Sequence, residues 1–394
     1  MPARDDDHTG TRIREQRRLA RLTQRQLAAR IPYSYSLLNQ VECGARPATA
    51  DFVAAVAQAL RIDAAVLTGQ PYVTELQQDR LAALVRPIRE ALDLYDLDVD
   101  AVVTARPAEQ LVAAADQLCR TVRATRLRAA ANAAPDLIAE LTAAAHTTPS
   151  TELWRALASA YRSAHDITLK LGYHDLSSIA LDRLGWAADR ASDAQLGAIR
   201  QYRRALAYRR EGATTIGLRL VASGHRMLDQ ADPGRETAAV RGQLHLGAAV
   251  IAARARDASL VTAHLEQAGA LTGRAGTGSE AVHWLSFGEA NVALHTMSTD
   301  IEMRRYDAVL RLARTVRPAT MPASRRARFL VDRARAELET GRTDASLASL
   351  VEARRVAPEQ TRYHPSTRET ISGLVHAARR APETLSGMAT WVGL

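Results

Sequence analysis

From about residue 150 onward the chain punctuates itself at a regular interval. Helical patterns of about 15–20 residues close near Gly172, Gly212, Asp257, Thr299, Gly341 and Arg380, a spacing of roughly 40 residues. That period fits stacked helix pairs, none of which buries its apolar face alone. The second helix of each pair carries a small, large, small triplet at helical spacing. The instances are Ala180/Leu184/Ala187, Gly217/Val221/Gly224, Ala308/Leu312/Thr315 and Ser346/Leu350/Ala353, the last followed by Pro358, with Val261/Leu265/Ala268 a looser copy. Hydrophobic residues make up 47% of the 394 and aromatics only 4%. The apolar share is mainly Ala and Leu, without long β-branched alternating runs, so the predicted class is all-α.

The N-terminal part reads differently. Thr23 followed by Gln26 is a capping-box pattern that starts a short helix with Leu27, Ala28 and Ile31 on its buried face. A second short helix is predicted over 34–42, and Gly44 is placed to end it in a left-handed conformation. With Tyr35 at zero, Asn39 falls near ~40°, Ser36 near ~100° and Gln40 near ~140°, while Leu37, Val41 and Leu38 cover roughly 200° to 300°. One arc packs and the other is a row of hydrogen-bonding groups. Asn and Gln bind adenine in a bidentate way, Ser serves several bases, and Tyr35 suits a thymine methyl or a phosphate. Arg12, Arg14, Arg17, Arg18, Arg21, Arg25 and Arg30 lie close by, with Glu15 the only acid among them. The overall charge of +9 fits a polyanionic partner, although Lys170 is the only lysine and an Arg-rich composition also follows from GC-rich coding.

Ile13-Arg14, Arg17, Leu22-Thr23-Gln24, Leu27-Ala28, Leu38, Glu42 and Gly44, Pro47 and Leu60 resemble, in order and spacing, the helix-turn-helix domain of the Xre family, similar to phage repressor and Cro domains. The resemblance implies a five-helix domain with Tyr35, Ser36, Asn39 and Gln40 at base edges and Gln24 at a phosphate. Arg25, Ser34 and Arg46 join Gln24 as expected phosphate contacts. It also implies a structural ion pair between Arg17 and Glu42, because a partly buried carboxylate needs a partner. Pro32 stands where the family usually has Gly, so the turn must differ there. The C-terminal helix pairs resemble tetratricopeptide repeats, in a degenerate form longer than the usual unit.

The expected organisation is a disordered tail over 1–10, the helix-turn-helix domain over 11–69, a helical linker over 70–149, and the helical-repeat solenoid over 150–394. Within 70–149, Pro87 is expected to kink a helix and Pro135 to interrupt the pattern over 108–146. This block fits either a dimerising element or the start of the solenoid. The first helix of each pair is expected to line an effector groove. On a predicted helix from Ser279 to Met297, Trp284, Gly288, Asn291 and His295 share one face; Gln201, Arg204, Tyr208, Arg241 and His245 stand at similar spacings on earlier helices.

The sequence carries no catalytic constellation. The stretch Gly273–Ser279 lacks the Lys and preceding strand of a phosphate loop, His165-Asp166 and His174-Asp175 lack a third ligand, and Cys43 with Cys119 is too few for a disulfide framework or a zinc site. No metal and no cofactor are expected, and the chain is read as a non-enzyme. No apolar run of about 18 residues and no apolar signal core exist, so a cytoplasmic, nucleoid-associated protein is expected, with no membrane partner. The leading expectation is a homodimeric transcription regulator that reads an inverted-repeat operator in double-stranded DNA, its repeats sensing a peptide or small-molecule effector. The alternative is a DNA-binding interaction adaptor, antitoxin-like or paired with a small protein, that autoregulates its operon.

Overall fold

The computed structural model describes residues 9–62, 64–68, 75–97, 103–378 and 382–394. Residues 1–8 of the expected 1–10 tail, the first domain boundary near Gly69–Pro71 and the helix end near Arg380 lie outside these, while Thr9 and Gly10, expected in that tail, open the first helix instead. Among the described residues every regular element is helical.

A head of five short helices comes first: α1 (Thr9–Leu19), α2 (Gln24–Ala28), α3 (Tyr35–Glu42), α4 (Ala50–Leu60) and α5 (Ala64–Thr68). Their apolar faces meet in a core of Ile13, Leu27, Leu38, Val41, Phe52, Val56 and Leu67. Then come α6 (Glu75–Asp93), α7 (Ala108–Arg123) and α8 (Leu127–Thr147). Antiparallel pairs follow: α9 (Thr151–Leu171) with α10 (His174–Arg190), α11 (Ala194–Glu211) with α12 (Thr214–Leu228), α13 (Arg235–Arg254) with α14 (Ala258–Ala275). The series continues with α15 (Glu289–Glu302) and α16 (Tyr306–Ala313), then α17 (Ala323–Glu339) and α18 (Thr343–Val356). It ends in α19 (Pro358–Tyr363), α20 (Pro365–Ala377) and α21 (Glu383–Val392). α7 packs on α9, α10 packs on α11, the first helices α11, α13, α15, α17 and α20 then stack in that order, and α19 returns to touch α9. The stack therefore curls back on itself.

Local chemistry explains the spacing. Ser150, Asp193 and Asp257 cap the starts of α9, α11 and α14, each satisfying orphan backbone N–H groups. Gly172 and Gly212 end α9 and α11 at φ +93° and +72°. Ala180/Leu184/Ala187 and Ser346/Leu350/Ala353 are fully buried, and Gly217/Val221/Gly224 lets α12 approach α13 closely. A Cβ at Gly224 would lie 2.8 Å from Leu244. In α16 the expected triplet is one residue out of register, and Val309 and Leu310 carry the burial instead.

One expectation about proline needs correction. α6 continues through Pro87 as expected, but α8 also runs through Pro135 without interruption. The break inside 108–146 comes at Thr125, with φ +60° between α7 and α8. A mid-helix proline costs about 3 kcal/mol. Burial of Leu137, Ile138 and Leu141 of α8 against neighbouring helices offsets that cost. Because α7 and α8 share one core with α9 and α10, the middle block forms the first layer of the stack.

Candidate nucleic-acid interface and the repeat interior

The α2–α3 unit is built as its spacing predicts. Thr23 and Gln26 form a reciprocal capping box at α2. The Ser34 hydroxyl caps α3 by accepting from the Leu37 amide at 3.2 Å, so this expected phosphate contact already holds the helix end. Gly44 takes φ +78° just past α3. Pro32 fits because no residue between Gln24 and Ser34 adopts a positive φ. The connection makes no left-handed turn, and Tyr33 next to Pro32 packs tilted against Phe52 with ring centroids 5.1 Å apart.

Leu38 and Val41 of α3 are buried, while Tyr35, Ser36, Asn39 and Gln40 are exposed in one row. Behind them lies a buried ion pair. Arg17 donates from Nε and Nη2 to the two carboxylate oxygens of Glu42, both at 2.7 Å. Arg17 is 7% and Glu42 2% exposed, so each charge depends on the other. Hydrogen bonding to Glu42 raises the Arg17 pKa above its ordinary value, against the opposing effect of burial. Gln24 connects this pair to the surface: its amide nitrogen donates to Glu42 at 2.8 Å and to Asn39 at 3.3 Å, and its oxygen accepts from the Tyr35 hydroxyl at 3.3 Å. The chain Arg17–Glu42–Gln24–Asn39 fixes the rotamer of a side chain that faces solvent. Arg25 and Arg46 are exposed beside the row.

Residues 8–68 match the helix-turn-helix domain family. This match covers the head and stops before the helix pairs. No curated relative matches the chain. A likeness was also found to Bacillus thuringiensis PlcR, solved with the peptide PapR7 and DNA, at 12% identity and a TM-score of 0.35, covering 90% of this chain and 99% of that one. A likeness that low decides nothing about this chain.

The expected groove residues do not form one surface. Arg241 and His245 turn from α13 toward α12: Arg241 pairs with Asp229, and His245 stacks between His225 and His264. Gln201 is buried and accepts from Arg204, while Tyr208 is half-buried. Asn291 is buried and donates to Gln243, which donates to Tyr202, tying α15, α13 and α11 together. His295 sits beside Arg325 and Arg328, and burial together with those charges pushes its pKa down to about 3. The predicted helix from Ser279 to Met297 does not form. His283, Trp284 and Ser286 take φ +43°, +55° and +60°, and α15 starts only at Glu289. Leu285 and Phe287 are buried on other helices, which overrides the helical spacing.

The structure also assembles a group that the sequence reading missed. Arg123 of α7, Arg162 and Lys170 of α9, Arg203 of α11 and Arg325 of α17 surround Asp166 of α9. Arg203 pairs with Asp166 at 3.1 Å. Burial, reinforced by the neighbouring arginines and opposed by Asp166, lowers the Lys170 pKa to about 8. Burial and then Arg325 lower that of Arg123 to about 9. Burial alone would raise the Asp166 pKa, but the cations hold it at about 2. The local signal was Arg162, Asp166 and Lys170, each about one turn beyond the last on α9. Among the described residues no group of three or more His, Cys, Asp and Glu side chains is arranged to hold a metal ion, and no helix is long and apolar enough to cross a membrane.

The head also touches the stack. Asp51 of α4 pairs with Arg254 at the end of α13, and Arg254 pairs in turn with Glu302 of α15 at 3.2 Å. Arg209 of α11 reaches the same Glu302 at 2.8 Å. The backbone oxygen of Gly44, just after α3, lies 3.3 Å from His376 Nε2 on α20.

Proposed function

We propose that the protein is a sequence-specific DNA-binding transcription regulator whose helical-repeat region senses a peptide or small-molecule effector. The observation that carries this reading is the exposed row Tyr35, Ser36, Asn39 and Gln40 on α3, braced from behind by Gln24 and the Arg17–Glu42 pair. Neutral hydrogen-bonding groups on a helix face supply base discrimination, while Gln24, Arg25, Ser34 and Arg46 stand at the edges where phosphates run. Gln24 serves both purposes, since its second oxygen lone pair is open to a donor.

The sensing half draws support from the link Asp51–Arg254–Glu302–Arg209, which joins α4 to three first helices of the stack. An effector that favours one curvature of these helices changes the position of Asp51 and hence of α3. The division into a reading unit over 11–69, a linker over 70–149 and a sensing unit over 150–394 belongs to this proposal, as does the tetratricopeptide-like character of the pairs. So do a homodimer, action at the chromosome and an inverted-repeat operator with half-sites about one turn of DNA apart. Selection of bound duplexes from a random library tests the reading. Enrichment of one site with two related halves is expected; a pool that stays random after repeated rounds overturns it.

A further inference from the structure

We propose that the recess between α7, α9, α11 and α17 binds a small ligand carrying two or more oxyanions, and that Val282–Gly288 is a strap holding the recess until such a ligand displaces it. The proposal deepens the effector-sensing reading by naming the effector's chemistry.

Three arginines from three helices converge on consecutive carbonyls of the strap. Arg162 donates to the oxygen of His283, Arg123 to that of Trp284, and Arg325 to that of Leu285 at 3.1 Å. A carbonyl offers a dipole but no charge. Five cations, Arg123, Arg162, Lys170, Arg203 and Arg325, therefore share the single carboxylate Asp166. The Nε groups of Arg203 and Arg325 are buried without a hydrogen-bond partner. In a desolvated setting this surplus favours a bidentate oxyanion over a carbonyl, because guanidinium pairs with carboxylate and phosphate through charge-assisted bonds.

The strap itself is built to leave. His283, Trp284 and Ser286 occupy the left-handed region, which L residues seldom adopt. The Ser286 hydroxyl is buried without a partner. Besides the arginines, the strap is held by Trp284 Nε1 donating to Asp116 at 3.3 Å, by His283 Nε2 against Gln195 at 2.8 Å, and by the burial of Leu285 and Phe287, the Phe287 ring sitting in a notch at Gly242. A Cβ on Gly242 would lie 2.1 Å from that ring.

Hydrogen exchange and calorimetry on the full chain at fixed ionic strength test the proposal, with inorganic pyrophosphate and a tetra-aspartate peptide as probes and tetra-asparagine as the neutral control. At least one anion should bind, and exchange over 282–288 should rise roughly tenfold on binding. Lys170→Met should weaken the anion roughly tenfold, the worth of one close charge, while leaving the free strap's exchange unchanged. Arg325→Gln provides a second reduction of charge if the first variant folds poorly, and Gly242→Ala should loosen the strap with no ligand present. Pyrophosphate alone points to a phosphorylated ligand and the peptide alone to an acidic peptide; both bind if the oxyanion is the only requirement. Binding of neither anion, equal binding of tetra-asparagine, or binding that leaves the strap protected overturns the proposal. Strap release with unchanged operator affinity keeps the site and removes only the sensing role.

Discussion

The α3 face of the head and the interior of the stack solve opposite electrostatic problems. At α3 the exposed groups are neutral, and the one buried cation, Arg17, is matched by Glu42 in a bidentate pair. In the interior five cations gather around Asp166, and burial lowers the pKa of Lys170 and Arg123. The first arrangement is complete before any ligand arrives and holds Asn39 and Tyr35 through Gln24. The second is incomplete in charge, which is the basis for proposing that an anionic ligand completes it. A reader of DNA gains from preorganisation, because operator contacts then cost little ordering. A sensor gains from a state that a ligand changes.

This contrast can be broken at several points. Glu42→Ala should give the largest effect. It strands Arg17 in the head core and should cost about 3–5 kcal/mol of head stability, read as lost amide protection in α1–α5 with the helix pairs unaffected. Equal loss across both regions would mean that the head is not an independent electrostatic unit.

Acid should act the other way. His225, His245, His283 and His295 are held at about 4, 3, 4 and 3, chiefly by burial. Their folded values lie below the unfolded value of about 6.5, so the unfolded chain takes up more protons in that window. Stability they contribute is present above pH ~6.5 and is lost as pH falls toward ~3. Residues 9–68 contain no histidine. Melting of the helix pairs should therefore fall between pH ~6.5 and ~4.5 while that of the head stays level. A head that loses protection first over this range would contradict the assignment.

Smaller effects sharpen the DNA face. Gln24→Ala should cost about 0.5–1.5 kcal/mol of operator affinity by freeing Asn39 and Tyr35, and should also lower head melting modestly because the buried Glu42 carboxylate loses one donor. Arg25→Ala and Arg46→Ala should each weaken binding to all sequences alike and reduce the salt slope by about 1. An unchanged slope would remove them from the phosphate contacts.

The two regions were also unequally legible. The α3 face could be read because its information is local. Thr23, Gln26, Ser34 and Gly44 mark ends within one short stretch, and the polar row repeats within a single helix. Helix ends at Gly172 and Gly212 were legible for the same reason. The recess was not, because its cations come from α7, α9, α11 and α17 and meet only when the stack curls. The strap misled the reading more directly. Trp284, Gly288, Asn291 and His295 have helical spacing, yet Leu285 and Phe287 find burial on other helices, and that long-range packing fixes the backbone. Pro135 misled for a related reason: burial on α8 outweighs one missing hydrogen bond.

The central claim is that α3 reads bases. Its most direct test compares binding of the full chain and of its Gln40→Ala and Asn39→Ala variants to the selected site and to random duplex at one salt concentration. Each substitution should cost about 1–3 kcal/mol on the selected site and far less on random DNA, relaxing preference at one position per half-site. Equal weakening on both duplexes would contradict base reading and leave α3 a backbone contact.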